Sequence, residues 1–201
     1  MLALLVTSCA RATDVKEAVE TTVDLFVNSE INNAPNHDKT YYSYYLPQGV
    51  TNLESGDTYN ILEIGGYKVL INIDIDQIIS DEYYTDAEKS DVYSLFEPVY
   101  SFEGRLYEDM AFDLRVYAID DKHLLYLIID DVAIASLIDL DAIDQILYDM
   151  LVVGTSIRTR DDLIINDFSS RDVIDYRQET IDLFEIIVPQ DGRLEELLKP
   201  N

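Results

Sequence analysis

Residues 59–75 read Tyr-Asn-Ile-Leu-Glu-Ile-Gly-Gly-Tyr-Lys-Val-Leu-Ile-Asn-Ile-Asp-Ile, two alternating runs joined by a glycine pair. Adjacent glycines supply the positive backbone angles of a two-residue hairpin turn, so the chain must double back on itself here as antiparallel strands. In the second run Tyr67, Val69, Ile71, Ile73 and Ile75 share one face. Lys68, Asn72, Asp74 and Asp76 share the other with Leu70, which predicts one buried face and one largely wet face.

Further runs carry the same signal. Val99–Tyr107 around Gly104, Phe112–Ile119, Leu124–Ile129 and Val132–Leu140 read as strands, with Asp120-Asp121-Lys122 and Asp130-Asp131 as the breaks between the last three. Thr40–Leu46 is an aromatic strand stopped by Pro47-Gln48-Gly49, with Tyr42, Tyr44 and Leu46 on one face and Tyr41 and Tyr45 on the other. Ser29–Lys39 and Asn52–Asp57 read as loops, and Asp76–Tyr93 as an acidic segment holding a short helix.

Helical spacing brackets the strands. Asp14 caps a first helix with Glu17 closing the box and Val15, Val19, Val23 and Phe26 along its stripe. Asp141 caps a second, with Ile143, Ile146, Leu147, Met150 and Leu151 on one face, running to about Gly154. Thr155–Phe168 fits neither period. A third helix starts at Ser169 or Ser170 and ends before Pro189, and Asp191–Leu198 is a short last one. A helix, then strands, then helices is the order of an α+β domain: one mostly antiparallel sheet of about 5–7 strands, with an N-terminal helix and C-terminal helices packed on it.

The chain carries 14 Lys and Arg against 40 Asp and Glu, a net charge of −26. Phosphate backbones are held by clustered cations, so nucleic acid is excluded as a partner. With 48% apolar residues the chain has the material for a core.

The N-terminus reads Met-Leu-Ala-Leu-Leu-Val-Thr-Ser-Cys-Ala, and Cys9 is the only cysteine. Val6-Thr7-Ser8-Cys9, at the end of an apolar run, resembles the lipobox of bacterial lipoproteins. That resemblance implies a diacylglycerol thioether on Cys9, removal of residues 1–8 as the remnant of a signal peptide, a tether over residues 9–14, and a single α+β domain over residues 15–201. It also implies attachment to the outer, extracellular face of the cell membrane. The body, rich in Ile, Asp, Asn and Tyr, is similar in character to uncharacterised small lipoproteins of low-GC bacteria.

Motifs for chemistry are sparse. No G-x-S-x-G elbow or P-loop is present, and His37 and His123 lie far apart. Asn72-Ile73-Asp74-Ile75-Asp76 alternates oxygen ligands as a calcium loop does, but Gln77 and Tyr83 stand where an EF-hand needs glycine and glutamate. Alternation on a wet strand face accounts for the pattern, and a weak Ca2+ site at Asp74, Asp76 and Asp81 is the functional alternative. Asp139, Asp141 and Asp144, and Asp161 and Asp162 with Asp167 and Asp172, sit where a helix dipole favours acids, and are also the carboxylate pairs a hydrolase would use. Tyr41, Tyr42, Tyr44 and Tyr45 offer contact area for a peptide or sugar, or pack under helices.

The expected function is a lipid-anchored surface protein, without enzymatic activity or cofactor, binding a protein, peptide or cell-wall partner. A small envelope hydrolase with paired carboxylates is one alternative. A cytosolic acidic adaptor or secretion chaperone is the other.

Overall fold

The computed structural model describes residues 3–83, 97–107, 110–169, 183–184 and 186–187. Its order is α1 (Ala3–Val27), β1 (His37–Asp38), β2 (Tyr42–Tyr44), β3 (Thr51–Ser55), β4 (Tyr59–Ile64), β5 (Tyr67–Ile73), α2 (Ile75–Tyr83), β6 (Tyr100–Leu106), β7 (Met110–Ile119), β8 (Lys122–Ile129) and β9 (Val132–Ile138). A 3-10 turn (Leu140–Ala142), α3 (Ile143–Gly154), β10 (Arg158–Thr159) and α4 (Asp161–Phe168) follow. Seven strands form one antiparallel sheet in the order β3-β4-β5-β9-β8-β7-β6, and β1-β2-β10 form a small second sheet. The α+β class, the single large antiparallel sheet and the helices packed on it are as the sequence predicts.

The glycine hairpin is the register pin of one half of the sheet. Gly65 and Gly66 both have positive φ, at 58° and 86°, and β4 pairs with β5 without a slip from Ile64↔Tyr67 to Tyr59↔Asn72. A turn with left-handed angles at both central residues matches the twist of its strands.

One sheet face is covered by helices. Val15, Val19 and Phe26 of α1 and Ile146, Leu147, Met150 and Leu151 of α3 are buried in one cluster with Ile71, Leu114, Leu125, Leu127 and Ile134 of the strands. Each such side chain contributes about 1.5–3 kcal/mol by leaving water. Helix α3 lies very close to the sheet at its C-terminal end. A Cβ on Gly154 would stand 2.8 Å from the Cδ1 atoms of both Ile129 and Ile134.

The other face differs from the wet face that alternation predicts. Leu70 is fully buried there, with Ile61, Tyr117, Leu124, Tyr126, Ala133 and Ala135, under Phe184 and Ile187. The Phe184 ring meets Tyr126 edge-on at 5.5 Å. Strand alternation marks which residues share a face, but it does not reveal that a segment distant in sequence returns to cover it.

Local expectations change in several places. His37–Asp38 is a strand within the expected loop over residues 29–39. Strand β5 ends at Ile73, so Ile75 and Asp76 open α2 and do not continue the alternating strand face. Asp141 lies in the 3-10 turn, and α3 has no side-chain cap. Helix α1 spans Ala3–Val27, so Asp14 lies within it and residues 11–14 are helical. Thr51–Ser55 is a strand and not a loop. It is exposed throughout and lies at the sheet edge, so it needs no apolar alternation to form. The tyrosine strand shortens to Tyr42–Tyr44 and joins the small sheet. The segment that fits neither period becomes β10 and α4, two elements too short to show one. The helices expected over 169–189 and 191–198 lie outside the described residues apart from 169, 183–184 and 186–187.

Candidate functional site

Register builds the site. Glu103 of β6, Asp113 of β7 and Ile128 of β8 are paired side by side, so their side chains form one row on a single sheet face. The adjacent row holds Arg105 and Ala111, and Arg115 follows Asp113 two residues along the same face. Beyond Ile128 the chain turns through Asp130 and Asp131 into β9, with Asp130 in the left-handed region at φ 49°. Aspartate is one of the few residues that tolerates that conformation.

Two helix starts meet this turn. The Asp74 amide donates to the Asp131 carbonyl at 2.8 Å, and the Asp74 side chain accepts the Gln77 amide at 3.0 Å, capping α2. Helix α2 packs against α4, which carries Asp161 in its first turn. Together these parts enclose a cleft of about 970 Å³, lined by Asp81, Glu103, Asp113, Asp130, Asp131 and Asp161, by Arg105 and Arg115, and by Gly104, Ala111, Phe112, Ile128 and Thr159.

Six carboxylates and two guanidinium groups therefore share one concavity. Arg115 is committed to Asp113, at 2.5 Å between Nη2 and Oδ2. The other Asp113 oxygen is buried without a hydrogen-bond partner among the described residues. Asp131 is pushed up to about 6, first by burial and then by the charges of Asp81, Asp161, Asp74 and Asp130. A carboxyl group surrounded by acids and partly withdrawn from water holds its proton more tightly. The arrangement favours a positively charged group that can replace that proton.

The expected site residues fare differently. Asp81 lines the cleft, Asp74 caps α2 behind it, and Asp76 is buried, accepting from the Ser80 hydroxyl at 3.4 Å. These three do not converge. Among the described residues, no three His, Cys, Asp or Glu side chains are grouped to hold a metal ion.

Tyr42 and Tyr44 are fully buried core residues, and the Tyr42 hydroxyl accepts from Asn60 Nδ2 at 2.6 Å. Tyr41 and Tyr45 are half-buried, with Tyr41 donating to Asp167 at 3.1 Å and packing edge-on against Phe168. The four rings therefore do not present one contact surface. Cys9 lies on α1, and its side chain is outside those described. Asp172 is also outside the described residues.

Sequence reasoning missed Glu103, Arg105, Asp113 and Arg115, and took Asp130-Asp131 only as a break between strands. The available signal was a carboxylate inside a strand run, Asp113, followed two residues later by Arg115 on the same face.

No family model, curated protein or solved structure matches the chain. Among the described residues no helix is long and apolar enough to cross a membrane.

Proposed function

We propose that the chain is a binding module that takes a positively charged ligand into the acidic cleft between β6–β8, α2 and α4. The observation that carries this reading is the clustering of six carboxylates against two guanidinium groups in one concavity of about 970 Å³. At an effective dielectric of about 20, a cation about 4 Å from one carboxylate gains about 4 kcal/mol before desolvation, and several carboxylates in one cleft act together. The contact region moves from the tyrosines at 41–45 to this cleft, because Tyr42 and Tyr44 belong to the core.

The test is calorimetric titration of the full chain with spermine and with tri-lysine, at low and at high salt. Micromolar binding that weakens steeply with salt is expected, together with loss of binding in Asp81→Asn/Asp161→Asn. Absence of binding at low salt overturns the reading.

The same proposal places the module at the outer face of a cell membrane, held by lipid on Cys9. Its support is the run Val6-Thr7-Ser8-Cys9 after an apolar segment. Expression with the upstream DNA in a Gram-positive host, followed by mass spectrometry of the mature N-terminus, tests it. A diacylated Cys9 is the expected result, and a free thiol behind an intact Met1 overturns it.

One observation favours a hydrolase instead. Asp131, pushed up to about 6 first by burial and then by the acids around it, keeps its proton to higher pH than an ordinary carboxyl, as a general acid must. Release of reducing ends from cell-wall polysaccharide, lost in Asp131→Asn, would decide for that reading.

A further inference from the structure

We propose that the ligand is an extended basic peptide, which adds as an outer strand along the edge of β6 that no strand among the described residues pairs with, and lays every second side chain over the acidic cleft. This rests on the cationic-ligand reading and names the class of partner.

The two edges of the sheet are built differently. At one end β3 is five residues long, and its pairing with β4 slips between Asn52 and Glu54. A short, bulged edge is a poor template for another strand. At the other end β6 is seven residues long and stays in unbroken register with β7 from Tyr100↔Val116 to Leu106↔Met110. It contains neither proline nor bulge, and among the described residues no strand pairs with its outer side. Such an edge offers a row of backbone donors and acceptors to an incoming chain.

The same strand borders the cleft. Glu103, Gly104 and Arg105 are exposed on β6 and line it. A Cβ on Gly104 would crowd the Phe112 ring at 2.9 Å, so the glycine lets that ring lie against β6. A strand added outside β6 puts alternate side chains, about 7 Å apart, on the face that carries Glu103 and Asp113. The carboxylates are distributed along the cleft and do not converge on a point. That distribution suits a row of separated cations on a chain, and at strand spacings of about 4.8 Å long Lys or Arg side chains from a strand beside β6 reach Glu103 on β6 and Asp113 one strand further in.

The test uses the full chain and a fluorescein-labelled octapeptide of alternating lysine and valine, read by fluorescence anisotropy. In an added strand all amides that face β6 belong to one residue type, lysine or valine, because backbone direction alternates with side-chain side. Two further probes carry N-methyl groups on all lysine amides or on all valine amides. The unmodified peptide is expected to bind. One methylated probe is expected to lose at least about tenfold in affinity while the other binds normally. Glu103→Lys is expected to weaken the unmodified probe several-fold.

If both methylated probes bind as well as the parent, the strand-addition proposal falls while the cationic cleft stands. If spermine binds and no peptide does, the result is the same. If neither spermine nor any peptide binds, both readings fall. Slow amide exchange along the whole outer edge of β6 in the free protein would also overturn strand addition, since the edge would then be occupied already.

Discussion

The Tyr67 hydroxyl donates to Asp139 Oδ2 at 2.8 Å, tying the first residue after the two-glycine turn to the residue that precedes the 3-10 turn before α3. It is one of a set. Tyr41 donates to Asp167, Tyr59 to Glu54 and Tyr100 to Glu20. In a chain with 14 basic side chains for 40 acids, phenol hydroxyls serve as donors where cations are scarce. Tyr67→Phe is expected to cost about 0.5–1 kcal/mol in urea denaturation at pH 7. Tyr67 is raised from its usual value, first by this hydrogen bond, so the folded state holds the phenol proton beyond pH 10. The advantage of wild type over Tyr67→Phe is therefore full below pH 10 and shrinks above it.

Asp131 has the opposite relation to stability. Its folded value of about 6 lies above the ordinary carboxylate value of 3.8. Between those limits the folded state binds more protons than the unfolded one, so its contribution to stability falls as pH rises through the window. Asp131→Asn is expected to be more stable than wild type by about 1–2 kcal/mol at pH 7, with the gap closing below pH 4. Denaturant midpoints at both pH values check this. The same variant is expected to bind spermine more weakly, trading ligand affinity for stability.

Gly154→Ala pushes a methyl group against Ile129 and Ile134, and is expected to cost about 1–2 kcal/mol. Ile134→Val alone removes a buried methyl and costs about 1 kcal/mol. Combined, the two are expected to cost less than their sum, because the valine lacks one of the two Cδ1 atoms the new methyl meets. A thermal or urea double-mutant cycle reads the difference.

Arg160 holds the small sheet to α4. Its guanidinium donates to the Lys39 and Thr40 carbonyls and pairs with Asp38, and its amide donates to the Tyr41 carbonyl at 2.8 Å. Lysine keeps the charge without the planar fork, so Arg160→Lys is expected to lose about 1 kcal/mol. Faster hydrogen exchange confined to the amides of residues 42–44 is the accompanying signature.

The legible parts of this fold are those with a strong local cause. Gly65-Gly66 specified its hairpin, and Ile143, Ile146, Leu147, Met150 and Leu151 marked the buried stripe of α3. The alternation of Tyr42 and Tyr44 against Tyr41 and Tyr45 also held, with the first pair buried and the second half-buried. The cleft was largely illegible. Asp81 was singled out for a calcium loop and Asp161 for a helix dipole, while Glu103 and Asp113 become neighbours only through the register of β6 on β7. Pairing across strands is a long-range relation that no spacing along the chain encodes.

The aspartate pair between β8 and β9 serves two ends at once. Asp130 takes up the left-handed backbone that closes the hairpin, and both aspartates line the cleft. Glycine at 130 would ease the backbone but remove a charge, and lysine would reverse the charge but strain the turn. A change of ligand preference in descendants of this chain would therefore meet less resistance at Asp81, Glu103 or Asp161, which are exposed and have ordinary backbone angles, than at the turn that closes the hairpin.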